Sequence, residues 1–94
     1  MKHFLLLKLK PNEDKAEFAQ QAQMLLQELC DAGIGINAVC VRENRVDRPD
    51  NYDIMAEFDM KDETALFTYV DHPLHKRFIA YAGPKVAQKN SFDY

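Results

Sequence analysis

The sequence has no block of like charge, no apolar run long enough for a membrane, no paired-cysteine motif and only three histidines. Each shortage removes a class of function. Twelve basic and 15 acidic residues are interleaved at a formal net charge of -3, so the basic stripe that tracks a polyanion is missing and no nucleic-acid partner is expected. The apolar run Phe4 to Leu7 is followed at once by Lys8 and Lys10. It is shorter than a signal-peptide core and no small-residue cleavage site follows it, so neither export nor membrane insertion is expected and the expected setting is cytoplasmic. Cys30 and Cys40 lie outside any CxxC or HxH spacing and read as reduced, half-buried fillers, with neither a disulfide nor a metal site expected. Gly33 and Gly35 flank Ile34 without a GxGxxG pattern, so no phosphate loop is implied and no cofactor is expected.

What is present fits one folded domain over residues 1-94. The chain is 47% apolar and 29% charged, globular in composition and too short for two independent cores. Residues 2 to 10 alternate, with His3, Leu5, Leu7 and Leu9 on one face and Phe4, Leu6, Lys8 and Lys10 on the other, as a strand requires. From Asp14 to Asp31 the apolar positions Phe18, Ala22, Leu25 and Leu29 recur at helical spacing. Asp14 with Glu17 forms a capping box at one end, and Gly33 is a C′ glycine at the other. Residues 34–43 read as a second strand, Asn44 to Asn51 as a polar loop, and Tyr52 to Asp59 as a third strand that closes a hairpin with the second. A helix opens at Asp62 with Leu66, Tyr69 and Val70 facing inward, and Pro73 restarts it as far as Gly83 and Pro84. Phe67 and Tyr81 read as core side chains, and residues 88–94 as a short last strand.

The order βαββαβ predicts an α+β fold of ferredoxin-like type, an antiparallel sheet with helices on one face. The uncovered face should be polar, yet the first strand carries Phe4 and Leu6 there, and the second shows the same doubling, Ile34 and Ile36 against Val39 and Val41. Two sheets packed face to face would bury this surplus, which predicts an isologous homodimer through the open sheet face.

Acid–base chemistry concentrates in Tyr69 to Phe78, reading YVDHPLHKRF, where two of the three histidines and a tyrosine surround one proline at a helix start. This element, with KHFLLLKLKP at the start, YDIMAEFD in the third strand and a terminal FDY, resembles the stress-responsive A/B barrel domain, or Dabb, family across almost the whole chain. The HPxHxxF portion, here His72, Pro73, His75 and Phe78, is its most specific part, while Asn51 stands where the family usually has glycine. The resemblance implies a dimeric α+β barrel of ferredoxin-like protomers. Many members look like small stress-associated dimers, and one enzymatic member is the plant olivetolic acid cyclase, which performs an intramolecular aldol condensation. Similarity to that cyclase implies a general-base role for His75 and pocket roles for His3, Tyr69 and Asp93. Ala22 and Ile54 replace its other pocket groups, so a different substrate is implied.

The topology argues for the same cluster. An antiparallel last strand beside the first brings Asp93 near His3, and a helix covering the start of the first strand would enclose His3, Tyr69 and His75. Neutral His75 would then take a proton next to a carbonyl while Tyr69 or His3 donates to the enolate. The competing reading makes His3 and His75 satisfied polar residues at a core edge, and His72 a helix-entry residue. A metal site from His72 and His75 has only Asp71 nearby as a third ligand and is not expected. Three functional classes follow: a binding or stress-associated dimer with a small apolar or aromatic ligand, a cofactor-free lyase or cyclase on a small carbonyl compound, and a quinol-type monooxygenase that shares only the architecture.

Overall fold

Strand alternation, helix caps and one proline set the element order. In a computed structural model covering Met1–Tyr94, β1 spans Lys2–Leu9, α1 Lys15–Asp31, β2 Ile36–Glu43, β3 Ile54–Met60, α2 Glu63–Asp71, α3 Pro73–Ala82 and β4 Val86–Asp93, with a 3-10 turn at Gly83–Lys85 before β4. Asp14 caps α1 by accepting from the Glu17 N–H at 3.0 Å, and Gly33 follows its last turn at φ 71°. The four strands form one antiparallel sheet in the order β2-β3-β1-β4, with His3 opposite Asp93 on one side and Phe58 on the other. This is the ferredoxin-like arrangement, its second helix divided at Pro73.

The core lies between the sheet and α1–α3. Phe18, Ala22, Leu26 and Leu29 from α1 meet Leu7, Leu9, Ile54 and Phe58 from the sheet, and Tyr69 and Phe78 close it from the other helices. Burying one such large apolar side chain contributes about 1.5–3 kcal/mol, so this layer decides which sheet face the helices occupy. No helix is long and apolar enough to cross a membrane.

Several details differ from the sequence expectation, among them Val70, which is 48% exposed rather than facing inward, and the start of β2 at Ile36 rather than at residue 34. Between Ile36 and Ala38 the register of β2 against β3 shifts by one residue, so Asn37 is extra. Ile36, Val39 and Val41 consequently share the helix-covered face, and the predicted doubling of β2 is absent. The third strand begins at Ile54 rather than Tyr52, and Asp53 just before it turns its buried carboxylate onto the Leu9 N–H at 2.8 Å. The last strand begins earlier, at Val86, whose side chain packs on the core and whose backbone faces Leu9. Phe67 is 67% exposed rather than core, while Tyr81 does pack against Phe18.

The surplus of apolar side chains on the open face holds for β1. Phe4 and Leu6 are half-buried there, Tyr94 stacks on Phe4 with ring centroids 5.9 Å apart, and Phe92 pairs opposite Phe4 with its ring exposed.

Candidate functional site

On the opposite, helix-covered face a cleft of about 750 Å³ runs between β1 and β4 below and α2 and α3 above. Leu5, Leu7, Leu66, Phe78 and Ile79 give it apolar walls, and His3, Tyr69 and His75 converge at one end. Asp93 lies beside His3 in the adjacent strand.

Pro73 builds the helical side of this site. A residue before proline is pushed toward extended backbone, and His72 adopts φ -72°, ψ 140°, ending α2 and opening α3. Its ring then caps α3, with Nδ1 accepting from the Leu74 N–H at 3.1 Å. In an unbroken helix that N–H would have gone to the Val70 carbonyl. The freed carbonyl accepts instead from His75 Nδ1 at 2.9 Å. Since a carbonyl oxygen only accepts, Nδ1 carries the proton of the neutral imidazole and Nε2 keeps the lone pair. Burial lowers the pKa of His75, the Val70 hydrogen bond opposes this, and the charges of Lys89 and His3 lower it further, with a net downward shift. Neutral His75 therefore predominates at neutral pH, as a base requires.

Tyr69, in the last turn of α2, is 2% exposed and lies against His75 with ring centroids 4.3 Å apart. Burial raises its pKa, so the phenol stays protonated and acts as a donor. Its hydroxyl has no protein hydrogen-bond partner, and no fully enclosed side-chain polar atom in the fold lacks one, so it opens onto the cleft. His3 packs between Phe58 and Tyr69, at 5.2 and 5.9 Å, and its Nδ1 bonds the Asp93 carboxylate. That carboxylate holds the Nδ1 proton and leaves Nε2 as the nitrogen free for other contacts. One end of the cleft thus offers a base at His75, a neutral donor at Tyr69 and an oriented imidazole at His3.

His72 stands apart from this group as the α3 cap. No cluster of three or more His, Cys, Asp or Glu side chains is placed to hold a metal. Sequence reasoning missed the β4 wall, where Lys89 and Ser91 line the cleft opposite Leu7 and Leu5. The signal was available, because a strand that places Asp93 beside His3 places every second residue before it on the same face.

Fold and cleft together define a small ferredoxin-like protomer with a histidine and tyrosine cluster between its sheet and its broken helix. The chain belongs to the stress responsive A/B barrel domain family, whose model matches residues 1–94. Solved structures agree in fold. A dimeric protein of unknown function and ferredoxin-like fold from Bacteroides fragilis is 18% identical, with a TM-score of 0.83 over 99% of this chain and 92% of that one. A dabb family protein with a ferredoxin-like fold from Mesorhizobium loti is 20% identical, with a TM-score of 0.74 over 99% and 92%. A hydroxynitrile lyase from Passiflora edulis is 12% identical, with a TM-score of 0.78 over 99% and 89%. No curated protein matches this sequence.

Proposed function

We propose that the cleft binds a small, largely apolar carbonyl compound and moves a proton on it without a cofactor, as a lyase or cyclase does. The observation that carries this reading is the convergence of His3, Tyr69 and His75 on one cleft, with His75 neutral and Tyr69 protonated. A closed core would have satisfied the Tyr69 hydroxyl internally. Nε2 of His75 removes a proton from the carbon next to the carbonyl, and the electron pair moves onto oxygen as an enolate. Tyr69 donates a hydrogen bond to that oxygen, and His3, held by Asp93 through Nδ1, packs against the Tyr69 ring. Reprotonation, bond cleavage or attack on a second carbonyl then completes the turnover. The hydroxynitrile lyase of the same fold supports the reading weakly, because likeness at that identity concerns architecture.

The test is deuterium uptake from heavy water at the α-carbon of a panel of small aryl and acyl ketones, followed by NMR. Exchange that needs the protein and falls in His75→Ala and His3→Ala supports proton transfer. Exchange that both variants leave unchanged overturns it and leaves a ligand-binding module of the family.

We also infer that the chain works as a homodimer through the open sheet face. Exposed Phe92 and Tyr94 beside Phe4 and Leu6 support this, as does the dimeric description of the Bacteroides fragilis neighbour. A reducing, cytoplasmic setting suits the two free cysteines.

A further inference from the structure

We propose that Lys89 makes the cleft selective for ligands that carry a carboxylate, the ammonium group pairing with the anion at the β4 wall while the ligand's apolar body lies against Leu66, Phe78 and Ile79. The inference rests on the ligand-binding reading of the cleft and adds the charge of its ligand.

Lys89 pairs in register with Leu7, whose side chain faces the helices, so the lysine starts from the cleft side of β4. It is the one permanently charged side chain lining the cleft. The fold supplies it with no counter-ion. Lys8 and Lys15 are taken by Asp53, Lys85 by Glu13 and Arg77 by Glu28, while the nearest carboxylate along β4, Asp93, is engaged by His3. Ser91, two residues on and opposite Leu5, adds a hydroxyl with no protein partner to the same wall. An ammonium and a hydroxyl on one strand face, beside the apolar walls of the cleft, match an anionic oxygen group. The field of Lys89 also reaches His75, which places the cation within electrostatic range of the acid–base group. A bound carboxylate would cancel that field.

The experiment titrates the isotope-labelled full-length chain with 3-phenylpropanoate and, separately, with 3-phenylpropanamide, which has the same shape without the charge. Backbone amides of Leu5, Leu7 and Ser91 report binding. The expected result is a carboxylate preference of about three- to fivefold at low salt, as for a partly exposed ion pair. The preference should shrink as sodium chloride is raised, disappear in Lys89→Gln and persist in Lys89→Arg. Equal binding of the two probes, or a preference that Lys89→Gln retains, overturns the assignment and leaves the ligand-binding reading standing. If neither probe moves the cleft amides, the assignment and the reading beneath it both fail. Where a variant folds poorly, the salt series on the unmodified chain still decides: a carboxylate preference that high salt leaves untouched overturns the assignment.

Discussion

Freeing one carbonyl orients one imidazole: the Val70 oxygen, released by the break at Pro73, holds His75 in the tautomer that a base needs. Because the pKa of His75 lies below the ordinary histidine value of 6.5, its neutral form persists to lower pH than in an exposed histidine. NMR titration of the His75 ring should place its midpoint below that value, and any proton-transfer activity should lose its base over the same range. Stability from the neutral, half-buried imidazole is present above 6.5 and is lost as pH falls through the lowered value, so the His75→Gln variant should show a weaker acid dependence of its urea midpoint. If deuterium exchange is established, Tyr69→Phe should reduce it by about 10²-fold, the cost of one lost oxyanion donor, with the fold retained. The chemical types in this group were legible in the sequence, since three histidines in the whole chain leave few candidates. The tautomer was not legible, because it depends on which backbone carbonyl the break leaves unpaired.

Gly35 and Asp53 govern how elements meet. Gly35 lies at φ 95°, and a Cβ built there would sit 2.9 Å from Ala65 Cβ at the start of α2. Gly35→Ala should therefore cost about 1–3 kcal/mol, from backbone strain together with overpacking, read as a lower urea midpoint with an unchanged slope. Asp53, 6% exposed, accepts from the Leu9 N–H and the Lys15 ammonium, tying β1 to the first turn of α1. Burial alone would raise its pKa, but these partners and Lys8 outweigh it and hold the carboxyl below its usual range. Asp53→Ala should cost about 1–3 kcal/mol by stranding the Leu9 N–H. The stability that the charge confers should be lost as pH falls through that lowered value. Periodicity and caps made the elements readable. The bulge at Asn37 was not, because an extra residue leaves the local pattern of branched side chains intact and shows only against the partner strand.

At the scale of the molecule, the alternation of β1 foresaw an apolar open sheet face, whereas the doubling expected of β2 is absent. Phe4, Leu6, Phe92 and Tyr94 form an aromatic and aliphatic patch with no helix over it. Replacing Phe92 with Glu should place a charge in the inferred interface and shift the protein from dimer to monomer in analytical ultracentrifugation, while leaving the cleft intact. A dimer that survives this change would place the interface elsewhere.

The alternation of β4 separates two kinds of change. Lys89, Ser91 and Asp93 pair with the helix-side residues Leu7, Leu5 and His3, whereas Asn90 and Phe92 pair with the open-face residues Leu6 and Phe4. Neighbouring residues in one short stretch of chain thus stand on opposite faces of the sheet. On the readings proposed above, every second residue of the last strand sets which ligand the cleft takes, and the residues between them set how two subunits meet.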